Sequence, residues 1–534
     1  MDDSKTQSPY LDSLLKSLSE ARINRVRGSG EPIEVSDTVS FLAFLYEKLR
    51  NAVEFSEEHL IRRIAITRIL KRRLSIKPTG ESEGENLIRE LLWGRYIKRD
   101  YGTTIQAQQA QKIIDTYLKL QDKIHQEGQV KSKQSIFSFI VELLSCEIEE
   151  VLYPVETQTQ SACLFFLYQE LKNRVKIEGV EFQIKDTYFY AACEAAYAKN
   201  DRQFIRYHLF TLQYSKLIDT DENQLAVISK NFRRIFQHIE SIIKNPYHER
   251  LVRYVKKQLP PFLIFYHLLD KRKNDSLALL IKQAELEQEV QRECSLRYQQ
   301  TGEKLKMAGI RSIIYIFLTK MLFVLLLEIP LTKYFYGQIH YASIAINTLF
   351  PPALMAAIIT FVNPPSNRNT RKIYARILDI IDYDPKKDDV VSFVISKKSK
   401  VKRPLMYAIF TVLYSVLFWG IFSIIFFALD YVDFNLISKG IFIFFLTVVT
   451  FFGYRIRQIA KEYALETERN ILSPIVEVIF LPILSVGKIF SRELSKINLL
   501  MFVFDAIIET PLKLIFEVIE EWFKFTRKQK EEIL

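Results

Sequence analysis

Glycine and proline are scarce in this chain, which has 15 glycines and 17 prolines among 534 residues. Both residues interrupt helices and mark turns, so a chain with few of them is not rich in turns. In residues 1–305 the apolar positions also recur at spacings of three and four, which is the period of a helix. We therefore predict an all-α protein.

Cysteine is also rare. The four cysteines are Cys146, Cys163, Cys193 and Cys294. None belongs to a Cys-x-x-Cys pair, and none lies beside a histidine at the spacing of a metal site. They are predicted to be reduced, buried thiols in a reducing compartment. The seven histidines are scattered singly, so we predict no metal-binding residues.

Motifs that carry chemistry are absent as well. The chain contains no His-Glu-x-x-His sequence, no glycine-rich phosphate loop and no nucleophile elbow. The acidic group between Asp379 and Asp389 matches no calcium-binding loop and is interrupted by lysines, which favours a solvated turn. We predict no catalytic residues and no cofactor, and these absences argue against an enzyme.

No secretory leader is expected either, because the N-terminus "MDDSKTQSPY" is acidic and polar. Insertion into a lipid bilayer is therefore expected to depend on internal segments. Four segments are apolar over roughly 20 residues, the length that crosses a bilayer. They are Ser312–Thr332, Tyr341–Val362, Pro404–Ala428 and Leu436–Tyr454.

Basic residues decide the predicted orientation. The connection between the second and third spans, residues 363–403, holds eleven lysines and arginines, whereas the other two connections are short and poor in positive charge. Because basic loops stay in the cytoplasm, both termini and the long loop are predicted to be cytoplasmic. The membrane would be the plasma membrane if the protein is bacterial.

Two charges stand inside the first span. Its thirteen Leu, Ile, Phe and Val residues favour insertion by roughly 4–8 kcal/mol, and a central lysine cancels about 2.5–3.5 kcal/mol of that. The span still inserts, but Lys320 should not face lipid without a remedy. One remedy is snorkelling, in which the long Lys320 side chain reaches back to the cytoplasmic interface, about 12 Å away.

Two other remedies involve the second span, where Pro351 and Pro352 remove backbone donors at mid-membrane. Lys320 could donate to the carbonyls of Asn347 and Thr348, which lose their helical partners. Alternatively, the charges and the broken helix would line a polar path for an ion or a small solute. We favour a structural role. The predicted intramembrane polar residues are Lys320, Glu328, Asn347, Pro351 and Pro352.

Residues 1–305 are predicted to form a cytoplasmic helical bundle or an irregular α-solenoid, because helix pairs are separated there by short polar breaks. Helical stacks of this kind most often bind proteins, so a cytoplasmic protein partner is expected. The net charge of +12 suits an anionic membrane or nucleic acid. The spans favour the membrane, and since no nucleic-acid motif is present we predict no nucleic-acid partner.

Basic residues gather in two stretches that are candidates for contact with anionic lipid. They are Arg62, Arg63, Arg68, Lys71, Arg72 and Arg73, and, just before the third span, Lys397, Lys398, Lys400, Lys402 and Arg403. For the first stretch, we favour a packed helix with a solvated basic face over contact with lipid.

Two segments follow the fourth span. Residues 471–490 are nearly apolar enough for another span but hold two prolines and a glutamate, which favours an interfacial or re-entrant helix. In residues 501–525 every fourth position is charged from Asp505 to Glu517, and apolar residues cover most of the rest. We predict a pair of amphipathic helices along the cytoplasmic membrane surface, with packing on the N-terminal domain as the alternative.

The predicted organisation has five parts. These are a cytoplasmic helical domain (1–305), a transmembrane hairpin (306–362), a basic cytoplasmic loop with a helix and a short strand (363–403), a second transmembrane hairpin (404–454) and a cytoplasmic amphipathic tail (455–534). The favoured function is a multi-pass membrane anchor or scaffold that presents its helical module to a protein partner. The alternative is a channel or transporter, made by homo-oligomerisation of the spans, that uses the region of Lys320 and the two prolines. A membrane-surface lipid enzyme is the third hypothesis.

Overall fold

The computed structural model of the chain is nearly all helical. It describes residues 9–23, 30–53, 60–128, 133–197, 199, 201–272, 282–338, 341–360, 362, 365–382, 391–396, 404–465, 473–496 and 510–533. The structure divides the chain into two compact units. Unit 1 comprises Met1–Lys256, Tyr383–Ile395 and Leu499–Leu534, and unit 2 comprises Lys257–Asp382 and Ser396–Asn498.

The first half of the chain contributes α1 (Pro9–Ile23), α2 (Asp37–Val53), α3 (Ile61–Ile76), α4 (Glu83–Trp93), α5 (Thr104–Gln126), α6 (Lys133–Leu152), α7 (Pro154–Lys172), β1 (Val175–Ile177), α8 (Phe182–Tyr197), α9 (Arg202–Tyr214), α10 (Glu222–Ile243) and α11 (His248–Arg272). Their starts carry local signals. The Asp201 side chain accepts hydrogen bonds from the amides of Gln203 and Phe204, and Asp221 accepts from Gln224. These caps supply partners for amides that the first helical turn leaves open.

The second half contributes α12 (Gln283–Phe323), a π-helical turn (Val324–Glu328), α13 (Ile329–Tyr336), α14 (Tyr341–Thr360), α15 (Asn367–Ile381), β2 (Phe393–Ile395), α16 (Pro404–Asp430), α17 (Leu436–Ala460), α18 (Ser473–Lys496) and α19 (Thr510–Ile533). The helix and the short strand predicted between the second and third spans are confirmed as α15 and β2. The strand β2 pairs in parallel with β1 of unit 1, with Lys176 opposite Val394.

Unit 1 is built around aromatic side chains from α5, α6, α9 and α10. The ring of Phe139 packs edge-on against Phe232 and Phe236, and Tyr117 and Tyr207 are fully buried. The four cysteines are buried, as predicted, and no disulfide bond joins any two of them. Burial also raises the pKa of the Cys146 and Cys193 thiols well above the ordinary value, so both thiols stay protonated at neutral pH.

Four helices of unit 2 are long and apolar enough to cross a membrane, which confirms the four predicted segments. They are Gln283–Tyr336, Tyr341–Thr360, Leu405–Asp430 and Leu436–Gln458. The first begins long before its apolar part, because no proline interrupts α12 between Gln283 and Phe323. The boundary predicted at residue 305 therefore lies inside a continuous helix.

Glycines allow close packing between these helices. A Cβ on Gly309 of α12 would lie 2.5 Å from Ile359 of α14, and one on Gly453 of α17 would lie 2.7 Å from Ile358. Both distances are shorter than van der Waals contact. Small residues at such crossings let backbones approach, and packing of this kind holds membrane helices together where no hydrophobic driving force exists.

Helix α18 contains residues 473–490 of the segment predicted to be interfacial or re-entrant, and it packs on α16 and α17. Gly487 lies against the backbone of Thr447, the hydroxyl of Tyr414 donates to Ser485 at 3.2 Å, and Phe490 contacts Phe444. Thr447 stands at the middle of the fourth span, Leu436–Gln458. The contacts of α18 therefore reach the central turns of its neighbour.

Candidate functional site

Three polar side chains meet between the apolar helices of unit 2. Lys320 from α12, Glu328 from the π-helical turn and Asn347 from α14 are all fully buried. The Lys320 Nζ lies 3.4 Å from Glu328 Oε2, and Asn347 Nδ2 donates to Glu328 Oε1 at 2.6 Å. We call these three residues the intramembrane cluster. It brings together the two charges and the amide that were predicted from the sequence.

The π-helical turn explains how Lys320 and Glu328 come to face one another. Eight residues of an unbroken α-helix rotate by roughly 80° beyond two full turns. A π turn closes its hydrogen bond one residue later, so it absorbs one extra residue, or roughly 100° of rotation. The two side chains therefore return to nearly the same face. Lys320 points toward Glu328, further along the helix, rather than back toward the helix start as snorkelling requires.

The fourth span closes the cluster from another side. Asn347 Nδ2 lies 3.4 Å from the carbonyl oxygen of Ser438, and the Lys320 ammonium stands 4.6 Å from the ring centre of Phe445. Both Ser438 and Phe445 belong to α17 and were missed from the sequence. Unlike a charged side chain, a backbone carbonyl or an aromatic ring does not oppose insertion of a span into the bilayer. The composition of α17 therefore gives no indication that these two groups belong to the cluster.

One atom of the cluster has no partner. Asn347 Oδ1 is buried and accepts no hydrogen bond within the part of the chain that the structure describes. An open acceptor at this depth is costly, and it lies beside a carboxylate that already holds an ammonium and an amide. The cluster is therefore nearly, but not completely, satisfied by its own side chains.

The two prolines stand one turn beyond Asn347. Pro351 and Pro352 are buried, and α14 continues through both. Lys320 makes its hydrogen bond to Glu328 rather than to the carbonyls of Asn347 or Thr348. The prolines therefore lie near the intramembrane cluster without supplying a partner to it.

The basic residues of α3 face carboxylates and a hydroxyl inside unit 1. Arg62 contacts Glu149 and Glu156, Arg63 contacts Glu149 and Asp201, Arg68 contacts Glu47, Lys71 donates to Ser138, Arg72 contacts Glu90, and Arg73 contacts Glu83, Glu90 and Glu517. Lipid phosphates would compete for these same donors, so lipid contact at α3 requires breaking the pairs. Lys397, Lys398, Lys400, Lys402 and Arg403 lie outside the described residues.

Helix α19 is part of the same network. Lys513, which is 3% exposed, lies 3.0 Å from Glu47 and 3.8 Å from Glu90. Burial opposes ionisation of Glu47, but Lys513 and Arg68 outweigh it and lower its pKa to about 2. Burial likewise opposes ionisation of Glu90. Its arginine partners and Lys513 outweigh burial and lower the pKa of Glu90 to about 2. Both carboxylates are therefore charged at neutral pH.

A cleft of about 670 Å³ opens in unit 1 beside the loop that follows α4. Arg62, Arg95, Lys98 and Arg99 line it, against Glu156 as the acidic residue of the lining. Neither Arg95 nor Lys98 has a carboxylate partner among the described residues. We call this feature the basic cleft. Residues 93–100, "WGRYIKRD", supply most of its charge, and that dense basic and aromatic stretch is the signal that could have revealed it.

Aromatic rings and one strained residue shape the basic cleft. The Arg62 guanidinium stacks 3.6 Å from the ring centre of Tyr153, which in turn stacks on Tyr101 at 4.7 Å. Arg95 has a φ of +54°, a left-handed conformation that non-glycine residues rarely adopt. The buried hydroxyl of Ser40, which also lines the cleft, has no hydrogen-bond partner within the described ranges.

A histidine lies between two buried carboxylates elsewhere in unit 1. His208 of α9 contacts Glu194 of α8 through Nδ1, and its Nε2 lies 3.7 Å from Glu150 of α6. The Tyr207 hydroxyl and Lys216 also contact Glu150. Burial opposes the charged imidazolium, but the two glutamates outweigh it and raise the pKa of His208 to about 9. The imidazolium is therefore a structural cation that joins three helices.

The raised pKa of His208 makes unit 1 sensitive to alkaline pH. The folded value of about 9 exceeds the unfolded value of 6.5, so the stabilisation is complete below pH 6.5 and is lost as pH rises through 9. We expect thermal stability to fall between pH 7 and pH 10, and His208→Gln to flatten that fall while lowering stability at pH 7. Melting curves at stepwise pH test this, with His238→Gln on the exposed face of α10 as the control. A wild-type profile matched by His208→Gln would contradict it.

Comparison with known proteins identifies no relative. No family model, no curated protein and no solved structure matches the chain. The class is defined by the structure alone, as a nearly all-helical protein with four helices that are long and apolar enough to span a membrane.

Proposed function

We propose that this protein is a multi-pass membrane anchor that presents its N-terminal helical domain, on the cytoplasmic side, to a partner protein with an acidic segment. The observation that carries the proposal is the basic cleft, in which Arg95 and Lys98 have no carboxylate partner among the described residues. The other two basic residues of its lining are already paired, Arg62 with Glu149 and Glu156 and Arg99 with Asp37. An acidic peptide would neutralise this surplus, and electrostatic complementarity of this kind selects partners and speeds their association.

The orientation belongs to the same proposal. The eleven basic residues between the second and third spans, and the basic residues that flank the first and fourth spans, favour a cytoplasmic position for both termini. Unit 1 contains most of the polar N-terminal half of the chain together with α19. A partner would therefore be a cytoplasmic protein.

The aromatic groups in the basic cleft support a peptide ligand. Arg95 and Lys98 offer exposed cations, and the stacked pair of Tyr153 and Arg62 offers a flat, rigid wall. Tyrosine supplies a large contact area at a low cost in side-chain entropy. Tyrosine and arginine are both enriched at the centres of protein interfaces.

We expect the double charge reversal Arg95→Glu/Lys98→Glu to weaken partner binding by about tenfold or more, since a loss of 1.4 kcal/mol already gives a factor of ten. Binding is measured by photo-crosslinking of the full-length protein in its own membrane. The photo-reactive residue benzoylphenylalanine replaces Arg99, whose side chain is 74% exposed. The crosslinked peptide is identified by mass spectrometry and should be acidic.

The control is Lys112→Glu/Lys119→Glu, which makes the same charge change on the exposed face of α5. The proposal requires that this control keep the crosslink and that the cleft variant lose it. A crosslink that survives the cleft reversal, or a crosslinked segment without acidic residues, would remove the basic cleft as the partner site.

A second function, transport of a proton or small cation through oligomerised spans, is favoured by the open Asn347 acceptor. Asn347 Oδ1 and the Glu328 carboxylate lie together at the intramembrane cluster, and π-helical turns are frequent at functional sites. Against transport stands the pairing of the charges, because Lys320 already neutralises Glu328. The experiment that separates the two functions compares ion flux through the wild type and through the double variant Lys320→Leu/Glu328→Gln.

A further inference from the structure

Helix α19 packs on the rest of unit 1 through a side that carries both charged and apolar residues, with Leu512 and Ile519 partly buried there. Lys513, Phe516 and Glu520 are each 3% exposed. Glu520 accepts hydrogen bonds from the backbone amide of Ser36 at 3.0 and 3.1 Å, and the ring of Phe516 contacts that of Trp93. Two charged residues of this amphipathic helix, Lys513 and Glu520, are therefore used inside the domain.

The opposite face of α19 is apolar and exposed. Its large side chains are between 52% and 68% exposed, and they are Leu514, Ile515, Val518, Trp522 and Phe525. A helix on the surface of a water-soluble domain has the reverse arrangement, with its apolar stripe inward and its charges outward. The five exposed residues of α19 are not scattered over the surface, because they lie within twelve positions of one helix.

The neighbouring helix α2 repeats the pattern. Val39 and Ala43 pack against Phe516 of α19, whereas Phe41, Leu42 and Leu45 are exposed. Two helices in contact thus both turn apolar side chains outward. We call the eight exposed residues of α2 and α19 the outer apolar face. Eight large apolar side chains exposed on two adjoining helices are typical of a surface that binds a membrane or another protein.

We propose that the outer apolar face binds the surface of the lipid bilayer in which the chain is anchored. The domain is covalently joined to the four candidate spans, so a bilayer is within its reach in every copy of the protein. Tryptophan and phenylalanine are suited to the headgroup boundary, where an amphipathic helix lies with its apolar face in the acyl chains.

This inference does not depend on the basic cleft, because the two surfaces share no residue. It also differs from a free amphipathic helix on the membrane. In the structure α19 keeps its charged stripe on Glu47, Glu90 and Arg73, so the whole of unit 1 would be held by the contact.

The test uses the full-length protein reconstituted in nanodiscs, one copy per disc, with a mixture of neutral and anionic phospholipids. Val518→Cys is labelled with an environment-sensitive nitrobenzoxadiazole dye, and the native cysteines are buried and do not compete. Leu45→Cys reports on α2, and Lys112→Cys is the control on the exposed face of α5. We expect blue-shifted emission at positions 45 and 518 that nitroxide-labelled lipids quench, and neither effect at position 112.

A second variant guards against a label that creates its own affinity. Trp522→Asp, at a position that is 64% exposed, leaves the packed stripe of α19 intact and should abolish the quenching at Leu45→Cys. Water-like emission at both labelled positions would overturn the proposal. Blue-shifted emission that nitroxide lipids leave unquenched would also overturn it, since a protein surface would then cover the face. Either outcome leaves the partner crosslink at Arg99 unaffected.

Discussion

Replacing Lys320 with leucine is expected to lower the free energy of unfolding by about 3–5 kcal/mol. The lysine is fully buried and its ammonium faces Glu328, so the variant leaves a carboxylate among apolar helices with only the Asn347 amide as a partner. Removing one member of a buried pair costs more than the pair contributes to stability. The remaining charge stays out of water but no longer has an opposite charge beside it. Unfolding in mixed micelles of a mild detergent and dodecyl sulfate measures the loss.

The double variant Lys320→Leu/Glu328→Gln is expected to recover most of that loss. It removes both charges, and the glutamine still offers an oxygen to the Asn347 amide. Replacing a whole buried pair is often neutral or stabilising by about 1–4 kcal/mol. Met321→Leu, at an exposed position of the same helix, is the control for the detergent assay. Equal losses in the single and double variants would show that the two side chains do not act as a pair.

The same double variant decides between anchoring and transport. If the protein is an anchor, proteoliposomes that contain the wild type or the double variant should have equal ion permeability. A cation or proton flux through the wild type that disappears in a correctly folded double variant would contradict the anchor function and support transport. The open acceptor of Asn347 would then be assigned to the transported ion.

Replacing Lys513 with methionine is expected to loosen the docking of α19 on the rest of unit 1, at a cost of about 1–3 kcal/mol. Methionine keeps the length and the apolar stem of lysine but leaves Glu47 and Glu90 without their shared cation. Glu47 keeps Arg68 and Glu90 keeps Arg72 and Arg73, so α3 should remain paired while α19 opens more often. Hydrogen exchange is the measurement, with faster exchange of residues 510–533 and unchanged exchange of α5.

Glu521→Gln is the matched control, because Glu521 is exposed on the same helix. The sign of the pH dependence provides a further check on the wild type. Glu47 and Glu90 have pKa values lowered to about 2 from an unfolded value of 4.5, so their contribution is complete above pH 4.5 and is lost as pH falls toward 2. An α19 that exchanges equally fast in the wild type and in Lys513→Met would contradict this account of its docking.

The membrane segments could be predicted from the sequence because they depend on local composition. Each span is a run of apolar residues whose length matches the bilayer, and no distant residue changes that balance. The predicted span Leu436–Tyr454 begins at the same residue as the helix in the structure, and β2 lies in the connection 363–403, where a short strand was predicted. The polar intramembrane residues were found for the same reason, since a charge in such a run is costly wherever it points.

The partners of those charges could not be predicted. Lys320 and Glu328 are eight residues apart, and an unbroken helix would leave them on different faces. Their pairing depends on a π-helical turn, which follows from packing against neighbouring helices and has no compositional signature. The arginines of α3 are a parallel case, because Arg63 finds Asp201 and Arg73 finds Glu517, far away in the chain.

The sequence by itself therefore determined which segments are helical and which can enter a bilayer, because both properties sum over neighbouring residues. The tertiary structure decided which charges are neutralised and which apolar faces remain open. In α19 the sequence shows an amphipathic helix, but only its packing shows that the charged stripe lies inward on Glu47 and Glu90 and the apolar stripe outward. Which face of such a helix packs inward depends on side chains that are distant in the sequence and reach it only on folding. No local sequence pattern contains that information.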